Sequence, residues 1–307
     1  MLRSLFLGLT SFLSLLALSP SAAAQQPAGL PGIRIVELDG RPVRVRTEGL
    51  ENRKPGTPVV VLEAGATSSL DAWSSVIADA GQRAPVVAYD RAGLGKSEWD
   101  GVRPTPRHVT ARLRRLLSAI GAGPPYVLVG HSWGGMLAYY FAGYYPKDVA
   151  GLVFVDPAPV LTQGRSGSLA PFAAIGAGKA GYDAYWNSFS SLVSNARPAV
   201  RAEFEVLRAL QESELSARDL RPLPDVPLVV LVAGKYLHLP FFKDYPFDPR
   251  AYFEADLRHR LRLLEEWALA SRSGLLLVSR TTAHSIPREE PQLVSWAIGR
   301  VLERTRK

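Results

Sequence analysis

The stretch that decides the fold reads Tyr126-Val127-Leu128-Val129-Gly130-His131-Ser132-Trp133-Gly134-Gly135. Its first four residues are apolar or aromatic and two are β-branched, which suits a short buried strand. Trp133 to Tyr145, closed by Pro146, suits a helix. Little chain is left between them, so the turn is tight, and Gly130 and Gly134 leave room where backbones crowd. The pattern is G-x-S-x-G in the strand–turn–helix setting that gives it meaning. Such a turn exposes the Ser132 hydroxyl at the carboxyl edge of a sheet, at the positive end of the helix that follows. Ser132 is therefore the candidate nucleophile.

Working outward, Ile33–Leu38 and Val43–Thr47 predict a hairpin around Asp39-Gly40-Arg41. Strands are expected at Val59–Glu63, Val86–Asp90, Leu152–Asp156, Leu228–Ala233 and Leu275–Ser279. Helices are expected at Asp71–Ala80, His108–Ile120, Pro249–Ser271 and Glu290–Arg304. Alternation of helices with wholly apolar strands predicts an α/β fold with a mostly parallel sheet covered on both faces. The alternation stops at 158–223, where helical segments are expected around Tyr182–Val193 and Ala199–Ser213. Pro222, Pro224 and Pro227 mark the return to the core. The organisation is thus a core in two parts, 25–157 and 224–307, with a helical cap at 158–223.

A serine needs a base. His284 follows the last strand by a short loop and precedes the last helix, the placement expected of that base. His131 lies within the turn and is expected to support it. His108, His238 and His259 have no comparable placement.

With the nucleophile and base located, the chain resembles the α/β-hydrolase superfamily over nearly all of residues 25–307. The resemblance rests on the turn, on Tyr89-Asp90-Arg91-Ala92-Gly93-Leu94-Gly95-Lys96-Ser97, on Val155-Asp156-Pro157-Ala158, and on Ala283-His284-Ser285-Ile286-Pro287 followed by Pro291. It implies an acyl-transfer mechanism needing no cofactor and no metal. The oxyanion donors would be the N–H groups of Trp133 and, in Glu63-Ala64-Gly65-Ala66, of Ala66. The family usually carries His-Gly at that loop; here Thr67, Ser68 and Ser69 are the expected supports. The family's usual acid follows the strand at Leu228–Ala233, but Gly234-Lys235-Tyr236-Leu237-His238 holds no carboxylate. Asp156, at the end of the preceding core strand, is the expected acid, with Asp244 and Asp248 as alternatives and a Ser–His dyad as a third. Asp90 and Arg91 are expected to pair within the core loops, and Glu63 to make a buried hydrogen bond.

Substrate choice would lie in the cap. Tyr182, Tyr185 and Trp186, with Phe189, fall at helical spacing and either line an apolar pocket or pack the cap onto the core. Phe241, Phe242 and Tyr245 offer a second apolar wall. Such a pocket suits a small apolar ester. An aminopeptidase would instead need a cap carboxylate, for which Glu203, Glu205, Glu212 and Glu214 are available. A C–C bond hydrolase and a non-catalytic binding protein are further readings. Serine at position 132 excludes chemistry that needs a carboxylate nucleophile.

Composition bounds the rest. The 307 residues are 47% hydrophobic and 21% charged, a globular composition. Arg3, the apolar run Leu5–Leu18 and Ala22-Ala23-Ala24 predict a cleaved signal peptide over 1–24. The run is shorter than the roughly 18 residues of a spanning helix, and no later segment is long and apolar enough to span. The expected location is periplasmic or secreted. With 0 cysteines there is no disulfide, thiolate nucleophile or thiolate metal site. The formal charge of +8 becomes +7 on loss of Arg3. Its basic residues (Arg112, Arg114, Arg115, Arg258, Arg260, Arg262, Arg304, Arg306 and Lys307) are scattered, some at helical spacing. They are expected to form solvated helix faces rather than a nucleic-acid surface. The oligomeric state is not legible.

Overall fold

The computed structural model describes residues 32–158, 164–213, 220–238 and 244–305. The segment expected to be a signal peptide lies outside them, as do Glu214, Phe241 and Phe242.

Eight strands form one sheet in the order β1-β2-β4-β3-β5-β6-β7-β8. They are β1 Ile33–Leu38, β2 Arg41–Glu48, β3 Val59–Glu63, β4 Val86–Tyr89, β5 Tyr126–His131, β6 Val149–Val155, β7 Leu228–Ala233 and β8 Leu275–Ser279. The β1–β2 and β2–β4 pairings are antiparallel, and β4 through β8 run parallel. Asp39 and Gly40 both take positive φ, 55° and 72°. That is the requirement of the tight hairpin turn whose twist matches its strands.

Each parallel strand alternates its side chains between two apolar layers. Tyr126 and Leu128 of β5 pack on one layer with Leu117, Phe141, Leu264 and Trp267. Val127 and Val129 pack on the other with Trp73, Ile77, Val294 and Ile298. Burial on both faces is why these strands are apolar without a break. The layers are supplied by α1 Ser74–Gly81, α2 Pro106–Ala119, α3 Trp133–Tyr144, α7 Pro249–Leu269 and α9 Pro291–Thr305, the last preceded by the short α8 Ile286–Glu289. The helix expected at Asp71–Ala80 is broken: Leu70–Trp73 is a 3-10 turn capped by the Ser69 side chain, and the α-helix starts at Ser74.

Between β6 and β7 lie α4 Gly164–Ala174, α5 Gly178–Val193 and α6 Pro198–Glu212. The first has no counterpart in the sequence reading. Its Gly and Ser residues and an internal Pro171 carry weak helical signals. Tertiary packing holds it: Phe172 is buried and stacks on Tyr252 at 4.5 Å. Among the described residues no helix is long and apolar enough to cross a membrane.

Candidate active site

The turn after β5 has the geometry the motif requires. Ser132 takes φ 54° and ψ −120° and begins α3 without a side-chain cap bond, so its hydroxyl is not consumed by the helix. A non-glycine residue there is strained, and such strain persists only where the surroundings impose it. They do. Ser132 N–H donates to Val155 O of β6 at 3.0 Å, while Gly135 N–H and Ala158 N–H donate to Ser132 O at 3.0 and 3.3 Å. Side chains are excluded nearby: a Cβ on Gly130 would lie 2.3 Å from Gly134 O, and one on Gly134 2.2 Å from Glu63 O. Trp133, a candidate oxyanion donor, is wholly buried at the first turn of α3, where the leading N–H groups lack partners within the helix.

His284 stands at the open edge, its side chain 48% exposed, and its Nδ1 lies 2.6 Å from Asp156 Oδ2. Asp156 follows β6 at φ 41° and is buried. Its other oxygen accepts from Ala233 N–H at 2.9 Å and from Arg260 Nη1 at 2.8 Å. Burial opposes its charge, but the Arg260 guanidinium and the bonds from His284 and Ala233 prevail and hold the carboxyl well below the usual carboxylate range. Being a carboxylate, Asp156 accepts the Nδ1 proton of His284, which leaves Nε2 bare. Of the alternatives, Asp244 is exposed, and exposed Asp248 caps α7 through Arg250 N–H at 2.8 Å.

His131 supports His284. Its ring centroid lies 4.8 Å from that of His284, and its Nε2 donates to the His284 carbonyl at 2.7 Å. Desolvation, then the neighbouring His284, hold its pKa down at about 3, so it is neutral near pH 7. The remaining histidines sit elsewhere: His108 bonds Asp100 at 2.8 Å, and His238 bonds the Tyr236 hydroxyl at 3.1 Å.

The loop after β3 lies beside the turn. A Cβ on Gly65 would lie 3.4 Å from the Ser132 Cβ. The loop's support differs from the expected Thr67–Ser69 side chains. Arg91, buried, donates to Glu63 Oε1 at 2.7 Å and to the carbonyls of Ala64 and Gly65, both at 2.6 Å. Its Nε meets Glu203 Oε1 of α6 at 2.8 Å, and Glu203 Oε2 accepts the Thr67 N–H at 2.5 Å. Tyr89 O–H donates to Glu63, whose pKa burial pushes up. Arg91 therefore does not pair with its neighbour Asp90. Asp90 instead accepts from the N–H groups of Leu70 and Lys96 at 2.7 and 2.8 Å.

Two alternatives left open by the sequence narrow. Tyr182 and Trp186 are 4% exposed and pack with Phe172 and Phe204, while Tyr185 touches Phe172, Phe189 and Tyr252. These rings pack on one another and on Phe247 and Tyr252 of the core, so they join the cap to the core rather than wall an open pocket. Of the described cap carboxylates, Glu203 is bound as described and Glu212 pairs with Arg208 at 2.9 Å, while Glu205 faces solvent.

Arg260 and Glu203 are the residues that the sequence reading placed wrongly. Both sit on an apolar helical stripe. Arg260 lies between Leu257 and Leu264, and Glu203 between Val200 and Leu207, three or four residues apart. A charge on the buried stripe is the signal that something charged faces it. Arg112 is a third case: buried like Glu203, it meets Asp39 at 3.2 Å. Among the described residues no cluster of three or more His, Asp or Glu side chains is arranged to hold a metal ion.

A sheet of this order, with a strained serine after its central strand and a His–Asp pair at the same edge, defines a class. Residues 57–297 match the model of the alpha/beta hydrolase fold family, and the chain belongs to that family. It is 35% identical over 109 residues to YqjL, an uncharacterized protein of Bacillus subtilis, covering 35% of this chain and 43% of YqjL. It is 42% identical over 81 residues to the lipase LipV of Mycobacterium tuberculosis, covering 26% of this chain and 30% of LipV. The chain thus spans less than half the length of either relative. An epoxide hydrolase from Vigna radiata superposes with a TM-score of 0.59 at 17% identity, covering 90% of this chain and 99% of that one, a likeness of fold.

Proposed function

We propose that the protein is a serine hydrolase that cleaves a carboxylic ester, or a related acyl bond, of a small-molecule substrate through an acyl-enzyme on Ser132. The observation that carries this reading is the His284 Nδ1–Asp156 Oδ2 contact of 2.6 Å, which leaves Nε2 bare for a proton. The Ser132 oxygen attacks the carbonyl carbon and its proton passes to His284 Nε2. The N–H groups of Trp133 and Ala66 hold the oxyanion. The tetrahedral adduct collapses, the carbon–oxygen bond to the alcohol breaks, and His284 gives the alcohol its proton. Water then attacks the acyl carbon and yields a proton to Nε2, the carbon–oxygen bond to Ser132 breaks, the serine takes that proton from His284, and the carboxylic acid leaves. Asp156 stays ionised throughout and stabilises the imidazolium. No step needs a cofactor.

An aminopeptidase is less well supported, because Glu203 is already bound by Arg91 and Thr67. We further propose export to the periplasm or medium, on the strength of the pattern in residues 1–24. A fluorophosphonate probe tests the central reading. The purified protein is expected to label at Ser132 and to hydrolyse short p-nitrophenyl esters, and Ser132→Ala to do neither. Absence of labelling in the parent protein would sink it.

A further inference from the structure

We propose that Glu203 of the cap helix α6 is a positioning residue for the second oxyanion donor, so that cap seating and oxyanion-hole formation are one event. The inference rests on the hydrolase reading above. The peptide unit joining Gly65 to Ala66 is planar and trans, so its C=O and N–H point in opposite directions. Arg91 Nη2 binds that C=O at 2.6 Å, which turns the Ala66 N–H away from the guanidinium. The next peptide unit is fixed as well, because the Thr67 N–H donates to Glu203 Oε2 at 2.5 Å. Thr67 takes φ 61°, a conformation that a threonine holds only when its surroundings impose it. Glu203 is 2% exposed and reaches both anchors at once, meeting Arg91 Nε at 2.8 Å and Nη2 at 3.1 Å. Without it Arg91 keeps Glu63 and the two carbonyls, but the Thr67 N–H loses its acceptor and the guanidinium one of its walls. A carboxylate from residue 203, in a different layer of the molecule, thus sets the plane in which the donor at residue 66 lies.

The test compares Glu203→Gln and Glu203→Ala with the parent protein and with Glu205→Gln, an exposed acid on the same helix. Turnover of p-nitrophenyl butyrate is normalised to sites titrated by fluorophosphonate at completion. Phenylboronic acid, whose serine adduct is tetrahedral, probes the hole separately. Glu203→Gln is expected to lower kcat per titrated site about tenfold and Glu203→Ala about a hundredfold, up to the low end of the roughly hundred- to thousandfold cost of losing an oxyanion donor outright. KM should stay within about threefold, and boronate affinity should fall with kcat as expected of transition-state binding. Glu205→Gln should match the parent. A cap anchor with no part in the hole would move KM and thermal stability but not kcat or boronate affinity, and that result overturns the proposal. So does a kcat within twofold of the parent in both variants. If Glu203→Ala fails to fold, Glu203→Gln decides alone. A parent protein that neither labels nor turns over ester removes the hydrolase reading itself, an outcome distinct from variants that equal an active parent.

Discussion

Three donors converge on the Asp156 carboxylate, and they differ in what their loss would do. Ala233 N–H fixes its direction, His284 is the group it serves, and Arg260 supplies the opposite charge. Asp156→Asn keeps the shape but offers an amide hydrogen where His284 needs an acceptor, which favours the wrong tautomer. We expect ester kcat to fall by about a thousandfold or more with KM little changed, as steady-state kinetics would show. Loss of Arg260 acts differently. It strands a buried carboxylate with fewer partners, and breaking a buried pair costs about 3–5 kcal/mol. Arg260→Met should therefore lower the urea midpoint sharply, and a stability within 1 kcal/mol of the parent, a threshold below that cost, would refute the charge-compensating role. What was legible at this scale followed chain order. Ser132 and His284 stand beside readable strands. Asp156 was reached because the usual loop is empty. The roles of Arg260 and Glu203 are not legible because their partners lie 104 and 112 positions away, and no local pattern names a partner at that distance.

At the level of elements, the apolar strands were readable because burial on both faces leaves one kind of residue along them, and Val59–Glu63, Leu228–Ala233 and Leu275–Ser279 emerged with their observed limits. The helix Gly164–Ala174 was not readable, because its stability comes from where Phe172 packs and not from its own sequence. The turn after β5 invites a direct trial. Gly134→Ala would drive a methyl into the backbone of Glu63 and Ala64, at 2.2 and 2.5 Å from their carbonyl oxygens. Backbone cannot step aside as a side chain can, so overpacking should cost about 1–3 kcal/mol and displace the loop beside Ser132. Thermal melting and fluorophosphonate labelling rate should both fall. Gly93 plays the same part toward the cap: at φ 75° it lies where a Cβ would stand 2.1 Å from the Ala199 Cβ of α6. Gly93→Ala should loosen that helix from the core, seen as faster proteolysis within 164–212.

For the molecule as a whole, Asp156, Asp71 and His131 act in one direction, against Glu63 and Asp90, whose carboxyl pKa values burial raises. Asp156 and Asp71 have native pKa values below the usual carboxylate range, Asp71 chiefly through its bonds from Arg44. Each contributes stability that is present above about pH 4 and is lost as pH falls through its lower native value. His131 stays neutral down to about pH 3 in the native state, while an unfolded imidazole takes up a proton near pH 6.5. Between those values the unfolded chain binds the extra proton, so stability rises with pH there as well, by at most about 1.4 kcal/mol per unit. Urea unfolding at pH 7.5, 6 and 5 should show a falling midpoint. His131→Gln, which retains a donor for the His284 carbonyl, should flatten that fall; an unchanged slope would count against a neutral native His131.

The order in which the site's parts occur along the chain sets when it can exist. A polypeptide growing from its amino end completes the sheet from β1 to β7 before residue 284 is made, and holds Ser132 and Asp156 while still lacking His284. The oxyanion loop waits in the same way for residue 203. Chains cut before β8 would therefore carry Ser132 and Asp156 yet stay silent toward ester for want of His284.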